Sequence, residues 1–249
     1  MTIGVKTLTE AAGREIATAV PIDWQPAPMA PSLGTGDPHL WRIRTDSRGM
    51  ELELALSGLG ERQRARAGAM RHAAFRERYI RAQAGLRLIL SRYLGGTPAT
   101  LRFEYGPAGK PYLDNPGGSV FFNLTTTGDL ALVGLCAGIG PESELGVDCE
   151  WIRPRVDILA VARRMFAPEV AQALEKTAEP ERLAYFHRAW TALEADAKCD
   201  GRGLFRPRLP GATPPEVRHC IPEPGYIAAV ARARLPPPSD WLTYDLDWI

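Results

Sequence analysis

Apolar and polar positions repeat with two different periods along this chain. Alternation with period two marks half-buried strands. It predicts strands at 41–44 and 101–105, apolar strands at 120–124 and 130–136, and closing strands at 217–221 and 226–231. Residues 50–56 fit either a strand or the lead into a helix. From 60 to 94 the spacing turns helical, and Phe75, Tyr79, Leu86 and Leu90 fall on one broad face. Gly95-Gly96 ends that segment, as glycine does past a helix C-terminus. Short helices are predicted at 157–166 and 168–176, and a long one at 179–199 with Pro180 in its first turn. Between these elements lie a hydroxyl-rich turn at 125–129, a Pro/Gly/acidic linker at 138–145 and a proline breaker at 236–238. Residues 1–37 read as an extended arm with a short helix at 8–19.

Composition narrows the class without naming a function. With 249 residues, 45% apolar and 24% charged, the chain is long enough for one large domain or two smaller ones. A net charge of +1 gives no general pull toward nucleic acid or membrane. No nucleic-acid motif accompanies the arginines of 62–92, so a nucleic-acid binder is set aside. The four cysteines are scattered with no CxxC or Cys/His spacing, which argues against zinc and fits reduced thiols. Neither a signal segment nor an apolar run of membrane-spanning length is present. A soluble cytoplasmic protein is expected.

Candidate chemistry starts at Gly146-Val147-Asp148-Cys149-Glu150, an apolar run ending in two carboxylates one residue apart. On a strand, positions i and i+2 share a face, so Asp148 and Glu150 project together and Cys149 points the other way, as a small buried hydrophobe. Paired carboxylates repel unless a cation lies between them or one is protonated. Hard divalent ions such as Mg²⁺ take this kind of oxygen donor. On the long helix, Glu194 and Lys198 are spaced i, i+4, either as a surface ion pair or as a third carboxylate with a companion cation. Trp190, Leu193 and Ala197 beside them suggest a helix packed in the core, which favours a site. His187, with no nucleophile nearby, reads as packing. Most of the arginines between 62 and 92 read as a solvated face, with a few suited to holding phosphate. Lys110, in Gly109-Lys110-Pro111, is a second candidate cation.

Several of these motifs, taken in order, resemble the 4′-phosphopantetheinyl transferase superfamily of the Sfp type. They are Arg62 with the basic helix, Gly109-Lys110-Pro111, Phe122-Asn123-Leu124-Thr125-Thr126-Thr127-Gly128, Gly146-Val147-Asp148-Cys149-Glu150, Trp190-Thr191-Ala192-Leu193-Glu194-Ala195-Asp196-Ala197-Lys198 with Gly201 and Gly203, and Gly225-Tyr226-Ile227-Ala228-Ala229-Val230. The likeness runs from about 39 to 231. It implies an α+β, pseudo-twofold fold of two similar halves, each a small antiparallel sheet with a long helix, here 38–140 and 141–249 after the arm. It also implies transfer of the 4′-phosphopantetheine arm of coenzyme A to a serine of an acyl- or peptidyl-carrier protein, with Mg²⁺ as cofactor, coenzyme A as co-substrate and a monomeric enzyme. By that resemblance Asp148, Glu150 and Glu194 are the metal carboxylates, and Glu194 with Lys198 deprotonates the carrier serine. Arg62, Arg78, Lys110 and Thr125 contact or neighbour the coenzyme A phosphates.

Two positions depart from the family pattern. Thr126 stands where the family has a phosphate-contacting histidine, and Leu193 where it has a lysine. Each charge-assisted hydrogen bond contributes about 1.5–3 kcal/mol, so losing two lowers coenzyme A affinity by on the order of a hundredfold unless other cations substitute. The alternative is a transferase-like protein that has left this reaction and binds a carrier or another phosphorylated ligand, or does different chemistry in the inherited cleft.

Overall fold

The computed structural model describes residues 19–34, 36–47, 49–114, 120–154 and 157–248. The helix expected at 8–19 lies outside them, apart from its last residue. The described residues begin with two short edge strands, β1 (Val20–Pro21) and β2 (Gln25–Pro26), and enter β3 (His39–Arg44). Helices α1 (Leu52–Ser57), α2 (Glu61–Ala69) and α3 (Ala73–Leu94) follow, then β4 (Phe103–Tyr105), β5 (Pro111–Leu113), β6 (Val120–Thr127), β7 (Leu130–Ala137) and β8 (Leu145–Trp151). Helices α4 (Ile158–Met165), α5 (Pro168–Lys176) and α6 (Glu179–Cys199) lead to β9 (Glu216–Ile221), β10 (Tyr226–Arg232) and β11 (Leu242–Asp245). This is a mixed α+β architecture with small sheets. One sheet runs β2-β11-β3-β7-β6, a second runs β1-β9-β10-β8, and β4 pairs with β5 as a separate ribbon.

Each larger sheet carries one long helix. Ile89, Leu86 and Leu90 of α3 pack on Trp41, Ile43, Val133 and Leu135 of the first sheet. Ala192, Ala195 and Cys199 of α6 pack on Val217, Ala229 and Ala231 of the second. The small side chains in that second contact let helix and sheet approach closely. Closest of all is Gly146 on β8, where an added Cβ would lie 1.9 Å from the Ala195 carbonyl oxygen. The two sheets meet where β8 lies against β6 and β7. Leu145, Val147 and Cys149 on one face of β8 join Leu130, Leu132 and Leu40 in a shared core.

Three expectations are corrected. The helical stretch from 60 to 94 is two helices, broken at Met70-Arg71-His72. The break lets α2 fold back on α3, where Gln63 Nε2 donates to Gln83 Oε1 and Arg87 Nε donates to Gln63 Oε1. Phe75 is not on the buried face: it is 62% exposed, because α3 is buried only from Ile80 onward. Of the two readings left open for 50–56, the helical one holds, with Leu52–Ser57 forming α1. Finally, Thr125, Thr126 and Thr127 are strand rather than turn, as β-branched residues favour. Only Gly128 and Asp129 make the reversal, with Thr127 already paired to Leu130 and Gly128 at a φ of +55° that suits glycine.

Candidate active site

The period-two face of β6 ties the two sheets together and builds the floor of the site. Asn123 Oδ1 accepts from the Val147 amide at 2.9 Å, and Thr127 Oγ1 accepts from the Trp151 amide at 3.2 Å. Between them, Thr125 Oγ1 donates to Asp148 Oδ1 at 3.1 Å. Three side chains at i, i+2 and i+4 on one strand thus meet three successive regions of β8. Asp148 lies on the face of β8 opposite Cys149, which is sealed in the core between the sheets as its alternation requires.

Helix α6 brings the remaining charged groups. Its alanines and Cys199 face the sheet, while Glu194 and Lys198, one turn apart, stand on the flank. Lys198 Nζ lies 2.5 Å from Asp148 Oδ1 and 3.2 Å from Glu194 Oε2, with Thr125 Oγ1 at 3.5 Å. Asp148 is 3% exposed, and its Oδ2 has no hydrogen-bond partner. Burial pushes its carboxyl up to about 7. The Lys198 ammonium opposes that rise, and the charges of Glu194 and Glu150 add to it. Burial works against the charged form of Lys198, but Asp148 and Glu194 outweigh it and raise its pKa. Lys198 is therefore held as a cation. Glu150, half-buried, follows Asp148 on the same strand face.

Hard oxygen donors dominate this cluster, and the orphaned buried Asp148 Oδ2 suits a divalent ion as a further partner. Among the described residues, no three His, Cys, Asp or Glu side chains converge as a finished ion cage. The Lys198 ammonium itself spans Asp148 and Glu194.

Two adjoining cavities open beside the cluster. The first, about 280 Å³, is lined by Lys110, Asn123, Glu194, Lys198, Gly201 and Leu204 among others. The second, about 390 Å³, is lined by Arg62, Arg66, Tyr79, Tyr105, Gln83 and Thr126 among others. Ala108, Gly109, Pro111 and Leu124 belong to both linings, so they form one continuous wall. In the second cavity the Arg62 guanidinium lies over the Tyr105 ring at 3.8 Å, and Arg66 over Tyr79 at 5.2 Å.

The structure brings Asp148, Glu194, Lys198 and Thr125 into contact and places Arg62 and Thr126 in one cavity. Arg78 is in neither lining: its Nε donates to Asp129 at the tip of the β6–β7 hairpin, at 2.5 Å. Lys110 borders the first cavity, but its ammonium is already committed. It pairs with Glu144 and donates to the carbonyls of Leu145 at 3.2 Å and Cys199 at 2.8 Å. Cys199 is the last residue of α6, where a cation also complements the helix dipole. Sequence reading passed over Asn123 as a strand tie and Arg66 as a cavity residue. The i, i+2, i+4 series of polar side chains in 123–127 was a signal for the first. Nothing local singles out Arg66 from the other arginines of its helix.

Comparison with known proteins identifies a family. A family description, 4′-phosphopantetheinyl transferase superfamily, matches residues 144–222, which run from just before β8 through α6 and β9. The chain is 30% identical over 225 residues to the 4′-phosphopantetheinyl transferase HetI of Nostoc sp., covering 84% of this chain and 93% of HetI. It is 35% identical over 121 residues to the 4′-phosphopantetheinyl transferase AcpT of Salmonella typhimurium, covering 48% of this chain and 58% of AcpT. Over 102 residues it is 33% identical to the 4′-phosphopantetheinyl transferase psf-1 of Bacillus pumilus, covering 41% of this chain and 40% of psf-1. With HetI 30% identical and matched over 93% of its length, and with β8, α6 and β9 inside the segment that the family description matches, this chain belongs to the 4′-phosphopantetheinyl transferase superfamily.

Proposed function

We propose that the protein transfers the 4′-phosphopantetheine arm of coenzyme A to a serine hydroxyl of an acyl- or peptidyl-carrier protein. The serine oxygen forms the new bond to the phosphorus that carries the pantetheine arm. The pyrophosphate P–O bond breaks, and 3′,5′-adenosine bisphosphate leaves. The observation that carries this reading is the meeting of Asp148, Glu194 and Lys198 at the edge of a cavity, in a chain of this family.

In this reading Glu194 takes the serine proton, since Lys198 is held protonated by its two carboxylate neighbours. Lys198 then offers its charge to the phosphate oxygens that turn negative as the bond breaks. Asp148, Glu150 and Glu194 would hold Mg²⁺, whose charge, when bound, stabilises the leaving pyrophosphate oxygens. Arg62 and Arg66 face the cavity that Thr126 lines. They restore the positive charge that the missing histidine took from this region, which supports a working enzyme over one that has left the reaction. Lys110 anchors the 106–111 loop to the end of α6 and acts by position rather than by touching phosphate. The same reading takes the two sheet-and-helix units as pseudo-twofold halves and the enzyme as a cytoplasmic monomer. No described helix is long and apolar enough to cross a membrane.

The test is mass spectrometry of an apo carrier protein incubated with the enzyme, coenzyme A and Mg²⁺. A gain of one phosphopantetheine mass is expected. An unchanged carrier mass, with the carrier still binding, would assign the protein to the alternative of a non-transferring relative.

A further inference from the structure

The loop that follows α6 is built in a way that the chemistry of the cleft does not require. Gly201, Gly203 and Leu204 form part of the wall of the first cavity. Immediately beyond them, Phe205 is 81% exposed and Leu209 is 79% exposed. Side chains of that size are usually withdrawn from water, and two of them on one short loop leave a concentrated apolar surface.

This loop is held in place. Asp196, one of the most buried acids in the protein at 0% exposure, pairs with Arg202 through one oxygen and with Arg208 through the other. Asp200 bridges the same two arginines from outside, at 2.9 Å and 2.8 Å. Arg202 also donates to the Asp196 carbonyl at 3.0 Å. Pro207 and Pro210 stiffen the segment further. A buried ion-pair network gives little net stability over an apolar packing, so a defined conformation is its better-attested benefit. Here the conformation it defines leaves Phe205 and Leu209 exposed, on the loop whose start lines the cavity.

Charge narrows the choice of partner. Residues 200–210 carry three arginines and one aspartate, and Asp196 beneath them offsets one more positive charge. Arg202 and Arg208 are consumed by the clamp, whereas Arg206 lies in the exposed stretch between Phe205 and Leu209. The surface is therefore apolar with a cationic centre, and it suits a partner with an apolar face bearing an acidic group. Position narrows it again. Leu204 lines the cavity that Glu194 borders, and the exposed Phe205 is the next residue in the chain, so a macromolecule delivering a hydroxyl to Glu194 comes close to this loop.

We infer that Phe205, Arg206 and Leu209 are the docking rim for the acceptor protein, taking an apolar, acid-bearing surface next to its reactive serine. This rests on the proposed transfer for the identity of the partner. The clamp of Asp196, Asp200, Arg202 and Arg208 is a positioning device that presents the rim.

The test uses the full chain, an apo carrier protein and the double variant F205A/L209A, with circular dichroism to verify its fold. Steady-state transfer is expected to show KM for the carrier raised about tenfold, with kcat and KM for coenzyme A unchanged. Calorimetry of carrier binding without coenzyme A is expected to show the same loss, and R206E is expected to weaken binding further at low salt than at high salt. Unchanged carrier KM and affinity overturn the inference. A fall in kcat with unchanged carrier affinity also overturns it, since the loop would then serve only as cavity wall. Sedimentation showing a wild-type dimer that the double variant breaks would assign the patch to a second copy instead. If the wild type fails to modify the carrier yet binds it, and the double variant does not bind, the transfer reading falls while the docking surface stands.

Discussion

Gly146 on β8 lies against the backbone of Ala195 on α6, so close that a methyl group at 146 would sit 1.9 Å from the Ala195 carbonyl oxygen and 2.5 Å from the Cys199 amide. Neither contact is with the end of a flexible side chain, so the helix itself must move to admit one. That helix carries Glu194 and Lys198, and the strand carries Asp148. The close approach therefore sets the distance between the groups of the site. Gly146→Ala is expected to destabilise the protein by about 3 kcal/mol, the upper range for overpacking a core. It is also expected to slow transfer by about a hundredfold or more in the fraction that stays folded. Urea unfolding and single-turnover transfer measure the two effects separately.

Asp148 and Glu194 are the anions that bracket Lys198. Asp148→Asn and Glu194→Gln keep the shape of each side chain, so the fold is expected to persist by circular dichroism. Phosphopantetheine transfer is expected to fall by at least about a thousandfold in each. Turnover within a few-fold of the wild type in either variant would remove that residue from the proposed chemistry.

Thr126 lines a cavity whose positive charge comes from Arg62 and Arg66. Thr126→His is expected to tighten coenzyme A binding by several-fold at pH 6, where the imidazole is charged, and by less at pH 8. Arg66→Ala is expected to weaken it by about tenfold, the loss of one charge-assisted contact. Isothermal calorimetry reads both. Equal affinity in Arg66→Ala would show that Arg62 alone serves this cavity.

Stability in acid is expected to track His219 and His39. Burial lowers His219 to about 4, only partly opposed by its hydrogen bond to the Arg188 carbonyl. Burial likewise lowers His39 to about 4, against the attraction of Asp37. His39 Nδ1 lies 2.6 Å from the Tyr93 hydroxyl, which also accepts from Trp41 at 2.8 Å, so the phenol proton is free to go to a neutral imidazole. Both rings are neutral in the fold and bind protons more readily once unfolded. Their stabilisation is complete above about pH 6.5 and disappears as pH falls through 4. For His219 the difference is on the order of 3 kcal/mol. Urea midpoints are expected to decline between pH 7 and pH 4.5, and His219→Gln to make that decline shallower.

Elements with a clean period were legible in the sequence. Helices α5 and α6 fall where the spacing of apolar residues put them, and β6, β7, β9 and β10 lie within a few residues of their expected ends. Asp148, Glu194 and Lys198 were legible too, because a strand face and a helix face each announce themselves locally. What escaped depends on partners distant in the chain. Lys110 looks like a loop cation, and only folding reveals that Glu144 and two carbonyls consume its protons. The threonines at 125–127 look like a turn until Leu130, Ala131 and Leu132 are set opposite them. Gln63 gives no sign in a helical sequence that it will meet Gln83 and Arg87 and turn one helix into two.

The last described strand, β11, lies between β2 and β3 in the five-stranded sheet, fastened by Arg42 to Asp245 at 2.9 and 2.8 Å. In the other direction, β1, near the start of the described residues, runs beside β9 in the four-stranded sheet. Each larger sheet thus takes in a strand from a distant part of the sequence. A gene divided after codon 140 yields two fragments with a raw hydrogen-bonding edge apiece, so neither is a module that recombination could transplant alone. The smallest portable piece of this protein is the whole interlocked pair.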